Sequence, residues 1–96
     1  MNTKALIFTA LLITAGAPNA CDKPAAPVLP DPNSAVTAQM VKAKNEMKAF
    51  ITAAEAYLKC VESDTIKYNT MVDVMQKAAD DFNGIVRKYK KRMSAG

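Results

Sequence analysis

Residues 61–68 read Val-Glu-Ser-Asp-Thr-Ile-Lys-Tyr, and the reading of this octapeptide decides the fold. From Ser34 onward the chain has no proline, and no glycine until Gly84. Positions 40, 47, 54, 61, 68, 75, 82 and 89 are Met, Met, Ala, Val, Tyr, Met, Phe and Tyr. Positions 36, 43, 50, 57, 64, 71, 78 and 85 are Val, Ala, Phe, Tyr, Asp, Met, Ala and Ile. Every position of this seven-residue repeat except Asp64 is apolar or aromatic, a helical signal. Its phase runs through 61–68 unbroken. On that ground alone the stretch would be one helix, about 87 Å long at 1.5 Å per residue, dimerising as a coiled coil. Three features place a turn at Glu62-Ser63-Asp64-Thr65 instead. Asp64 is the only charge in the seam. Ser63 and Asp64 are good N-caps for a second helix. The stripe is also widened by Ile51, Leu58, Val72, Ala79, Val86 and Met93, which suits globular packing better than a two-stranded seam. We expect an all-α fold: an antiparallel helical hairpin over 34–93, with helix 1 at about 34–62 and helix 2 at about 64–92. The single long helix forming a coiled-coil dimer is the alternative, so the chain is expected as a monomer or dimer.

Upstream of this region, residues 21–33 form a proline-rich segment in which Pro24, Pro27, Pro30 and Pro32 exclude a helix. Pro24, Pro27 and Pro30 recur every three residues, the period of polyproline II, so their rings share one face. Pro32 falls off that face and precedes Asn33-Ser34, which reads as the capping pair of helix 1. Downstream, Asn83-Gly84 is a turn dipeptide inside an unbroken heptad phase. It reads as a solvent-face weak point or mild kink, with a helix end as the runner-up.

The N-terminus reads as an export signal. Lys4 is followed by an apolar run from Ala5 to Ala15 and a small-residue region from Gly16 to Ala20. The run is well short of the roughly 20 residues that cross a bilayer. Residues 1–20 are therefore expected as a signal peptide, with the mature chain periplasmic or secreted and beginning near Cys21. A cysteine at that point raises lipid modification. Of the preceding residues Ala20 fits a lipoprotein box, while Pro18 and Asn19 depart from it. The other reading pairs Cys21 with Cys60, two cysteines in an exported chain being an even count in an oxidising compartment. The lengths agree with it. Cys21 to Asn33 spans about 37 Å as polyproline II, and Ser34 to Cys60 about 39 Å as α-helix. A polyproline II segment packed back along helix 1 would lay its proline face near Phe50 and Tyr57 and bring Cys21 to Cys60.

The 96 residues include no His and no Trp. There is no Gly-rich loop and no catalytic constellation, so we expect a non-enzymatic protein with no cofactor and no metal. Cys21 and Cys60 form no Cys-x-x-Cys pair and read as structural. Asp73, Asp80 and Asp81 read as a solvated acidic face, since Asp73 and Asp80 stand about 10 Å apart along a helix. Met71 and Met75, at i and i+4, have the thioether chemistry of a Cu(I) site, but they occupy seam positions where methionine fills cores. A small redox or copper-handling protein is one alternative, and a lipid-anchored coiled-coil structural protein another. The net charge of +4 is concentrated at Arg87, Lys88, Lys90, Lys91 and Arg92, with no acid after Asp81. These residues with Tyr89 are the candidate partner-binding set. The partner would be an acidic protein or an anionic envelope polymer, with nucleic acid unexpected outside the cell and a membrane only if Cys21 is acylated. The competing account is a solvated helix end whose cations complement the dipole terminus.

Four segments carry a family resemblance: Cys21-Asp-Lys-Pro24-Ala-Ala-Pro27, Tyr57-Leu-Lys-Cys60, Tyr68-Asn-Thr-Met71-Val-Asp73, and Asp81-Phe82-Asn83 with Arg87-Lys88-Tyr89-Lys90. In these the chain resembles small, uncharacterised exported two-cysteine helical proteins of proteobacteria. The resemblance covers nearly the whole mature chain. It implies a periplasmic or secreted helical protein with paired cysteines and carries over no activity. The expected function is an exported envelope binding or interaction module stabilised by one disulfide.

Overall fold

The computed structural model describes residues 21–95. The signal peptide expected over 1–20 lies outside them. The architecture is all-helical, with two helices in contact and no strand among the described residues. We label Thr37–Cys60 α1 and Thr65–Ala95 α2.

The heptad stripe becomes the core. The buried side of α1 is Met40, Ala43, Met47, Phe50, Ala54 and Tyr57, all of them seam positions. From α2 come Met71, with 0% exposure, and Ala78. Val74, Met75 and Phe82 pack partly buried against them. Burying a large apolar side chain contributes about 1.5–3 kcal/mol, so this narrow set holds the helices together.

The turn lies where the charged seam position predicts it. The Val61 N–H donates to the Tyr57 and Leu58 carbonyls, closing α1, and the Asp64 N–H donates to the Val61 carbonyl at 2.9 Å. Asp64 then caps α2, its Oδ1 accepting from the Lys67 N–H at 3.1 Å. The seam leaves the core at this point, with Val61 half-buried and Asp64 and Tyr68 exposed. The heptad phase survives because a four-residue connection happens to preserve it. The chain then reverses, so that Thr37 near the start of α1 meets Tyr89 near the end of α2.

Two local expectations are corrected. Asn33-Ser34 does not cap α1. Asp31 captures this stretch first: its Oδ1 accepts from the Asn33 N–H at 2.8 Å, and its carbonyl accepts from the Ser34 and Ala35 N–H groups. That separate turn buries Ala35 and delays the helix to Thr37. Val36 stands at the N-cap without a side-chain acceptor. Gln39 Oε1 compensates in part by accepting the Val36 N–H at 2.9 Å, the reverse half of a capping box. The second correction concerns Asn83-Gly84. The helix runs through it to Ala95, and Gly84 is half-buried rather than on the solvent face. It lines a groove with Pro27 and Leu29 of the N-terminal segment. Eight flanking turns of continuous hydrogen bonding outweigh the roughly 1 kcal/mol helix penalty of one glycine.

Along the N-terminal segment Pro24, Pro27 and Pro30 are half-buried, while Ala25, Ala26 and Val28 are exposed. Leu29 packs against the core cluster. The segment is tied by a disulfide between Cys21 and Cys60, with Cα atoms 5.4 Å apart.

Candidate functional site

The candidate surface is the end of the molecule where α1 begins and α2 finishes. Two contacts assemble it. The Thr37 and Tyr89 hydroxyls lie 2.8 Å apart, and the Arg92 guanidinium donates to the Ala35 carbonyl. Arg92 also lies 5.5 Å from the Tyr89 ring centroid, a cation–π distance. Tyr89 and Arg92 are both half-buried and serve as ties between the helix ends. Arg87, Lys88, Lys90 and Lys91 are exposed. The expected six-residue run therefore divides into four cations that face solvent and two side chains, of which Tyr89 engages α1 and Arg92 the turn before it.

The same reversal sets Lys44 and Lys48, further along α1, beside Phe82 of α2. The ion pairs recorded among the described residues are Lys42–Glu46 at 2.5 Å and Lys77–Asp81 at 2.9 Å. Neither reaches the cations of the C-terminal run. Asp81 raises the Lys77 pKa above its ordinary value, first through the hydrogen bond and then through its charge. Asp73, Asp80 and Asp81 are exposed. No group of three or more His, Cys, Asp or Glu among the described residues is arranged to hold a metal ion. The thioether of Met71 is sealed in the core.

Lys44 and Lys48 were not in the expected set. They line a shallow apolar groove floored by Met47, Ile51 and Phe82. Their i, i+4 spacing on one face was visible in the sequence, but their proximity to α2 follows only from the chain reversal. The Thr37–Tyr89 contact had no local sequence signal, because it depends on the stagger of the two helices.

The disulfide lies at the far end, where α1 stops. It is compatible with an oxidising compartment. No helix among the described residues is long and apolar enough to cross a membrane. No family model, curated protein or solved structure matches the chain.

Proposed function

We propose that the chain is an exported, non-enzymatic interaction module of the cell envelope, periplasmic or secreted, that holds an anionic partner at the basic end of a helical hairpin. The observation that carries this reading is the set of solvent-facing cations Arg87, Lys88, Lys90 and Lys91, with exposed Lys44 and Lys48 further along α1. A cluster of one sign attracts anionic surfaces and speeds encounter with them. No charged side chain among the described residues is buried.

The rest of the fold serves as the mount. We read the half-buried prolines 24, 27 and 30 as one face of a polyproline II segment laid on the helices, since the observed alternation has its three-residue period. The bond from Cys21 Sγ to Cys60 occupies the atom that a thioether-linked lipid would need, which supports this reading over a lipid-anchored coiled coil. The burial of Met71 supports a packing role over copper handling.

Titration of the disulfide-bonded chain with polyglutamate, at low and at physiological salt, tests the proposal. Saturable binding that weakens with salt, and that falls when Lys88, Lys90 and Lys91 are changed together to Gln, is the expected result. Equal binding by the triple variant would refute it.

A further inference from the structure

We infer that the basic end is a contact surface for anionic lipid bilayers, made without an acyl anchor. This inference rests on the proposed function and names its partner. The observation behind it is that exposed apolar side chains collect among the cations there. Val36, Val41 and Met93 are 58%, 52% and 54% exposed. Val36 lies between Ala35 and Thr37, the two residues bonded to Arg92 and Tyr89. Val41 follows Thr37 by four residues and Met93 follows Tyr89 by four, so each lies one turn along the same helix face as its bonded neighbour. The Thr37–Tyr89 bond joins those two faces, and Arg92 also donates to the Met93 sulfur at 3.6 Å. The three apolar side chains therefore share one corner of the molecule.

Cations border that corner. Lys44 and Lys48 follow Val41 by three and seven residues, and Lys90 precedes Met93 by three, so all three stand on the apolar side. The groove of Met47, Ile51 and Phe82 continues the surface inward between the two lysines. Two carboxylates are engaged, Asp31 with the Asn33 N–H and Glu46 with Lys42, while Asp80 and Asp81 line a separate groove with Lys88. Exposed Ile66 and Tyr68 lie instead at the turn, beside Glu62 and Asp64. Val28, 92% exposed, lies on the N-terminal segment beside the Lys42–Glu46 pair; of the described residues, Val36, Val41 and Met93 are the exposed apolar side chains that lie among unpaired cations.

That coincidence separates a membrane from a soluble polyanion. A soluble polyanion such as polyglutamate is satisfied by charge and offers little apolar surface to exposed valine or methionine. A bilayer takes both: headgroup phosphates meet the ammonium groups, and the apolar tips enter the acyl boundary. Lysine suits this position because its stem lies along apolar surface while its charge stays in water.

Co-sedimentation of the disulfide-bonded chain with two kinds of vesicle tests the inference: phosphatidylglycerol in phosphatidylcholine, and phosphatidylcholine alone. Binding to the anionic vesicles only is expected. The double variant Val41→Ser/Met93→Ser should bind them at least about tenfold more weakly and bind polyglutamate as the parent does. Lys44→Gln/Lys48→Gln should also lose about tenfold or more on vesicles. All four positions are exposed, and circular dichroism checks that the fold is kept. Absence of preference for anionic vesicles, or unchanged binding by the serine variant, overturns the membrane contact. Binding to polyglutamate without binding to vesicles overturns it while sparing the anionic-partner reading. Failure of both probes ends both.

Discussion

The Arg92 guanidinium donates to the carbonyl of Ala35, 57 residues earlier in the chain, and so ties the last turns of α2 to the approach of α1. Position in the basic run alone would make Arg92 one more solvated cation. The contact instead predicts unequal effects along the run. Arg92→Ala removes a charged hydrogen bond and the Tyr89 ring contact, and should cost about 1–2 kcal/mol in urea unfolding. Lys91→Ala, one residue away and exposed, should stay within about 0.5 kcal/mol. If the two variants unfold alike, the tie contributes nothing to stability.

The disulfide predicts a larger effect at the opposite end. It joins residues 39 apart in sequence, and closing such a loop is worth about 4 kcal/mol in the chain-entropy model. Nine buried apolar residues make up the core among the described residues, so a loss of that size approaches the whole stability of a small domain. Cys60→Ser should unfold the protein near room temperature or lower its urea midpoint steeply. The first protease cleavage in the reduced form should fall between residues 22 and 35, where only side packing and the Asp31 turn would still hold the chain. First cleavage within α1 would contradict this order of events.

Which parts of this were legible follows from the range of each interaction. The core of α1 could be read off the heptad because burial of Met40, Ala43, Met47, Phe50, Ala54 and Tyr57 is a periodic property of one helix. Asp64 was legible as a cap because its bond to Lys67 is local. Asp31 was missed because it competes with Asn33 and Ser34 for the same backbone donors, and propensity does not say which oxygen wins. Gly84 was misplaced because the face it presents is set by the N-terminal segment, more than fifty positions away in sequence. The same holds for Lys44 and Lys48, whose ordinary i, i+4 spacing meets α2 only after the chain turns back. Local chemistry was readable where one acceptor stood alone, as at Asp64, and not where several competed, as at Asp31; the meeting of distant faces required the fold.

The cap at Asp64 supports a third prediction, about the turn itself. Asp64→Ala removes the acceptor for the Lys67 N–H and should cost about 1 kcal/mol. It also makes the heptad seam continuous, since position 64 is the one charged interruption. The variant should therefore move toward the long-helix dimer that the uninterrupted phase permits. Sedimentation velocity reads both outcomes. A compact monomer is expected for the parent and a measurable dimer fraction for the variant at high concentration. A variant that stays monomeric and loses only stability would show that Asp64 caps the helix without guarding against the coiled coil.

Gly84 supports a prediction of the opposite sign. It sits inside α2, where glycine is about 1 kcal/mol less favourable than alanine. Among the described residues, a Cβ added there meets the Arg87 side chain at 3.8 Å, an ordinary contact. Gly84→Ala should therefore stabilise the protein by about 0.5–1 kcal/mol, raising the thermal midpoint by several degrees at this size. The site also faces the groove with Pro27 and Leu29, so enlarging the side chain further should reverse the gain. Gly84→Leu would press on the N-terminal segment and is expected to lower the midpoint relative to Gly84→Ala. If alanine itself destabilises, the proline segment must lie closer to α2 than these contacts place it. If leucine stabilises further, the segment does not pack there in solution, and the disulfide at Cys21 is its main attachment.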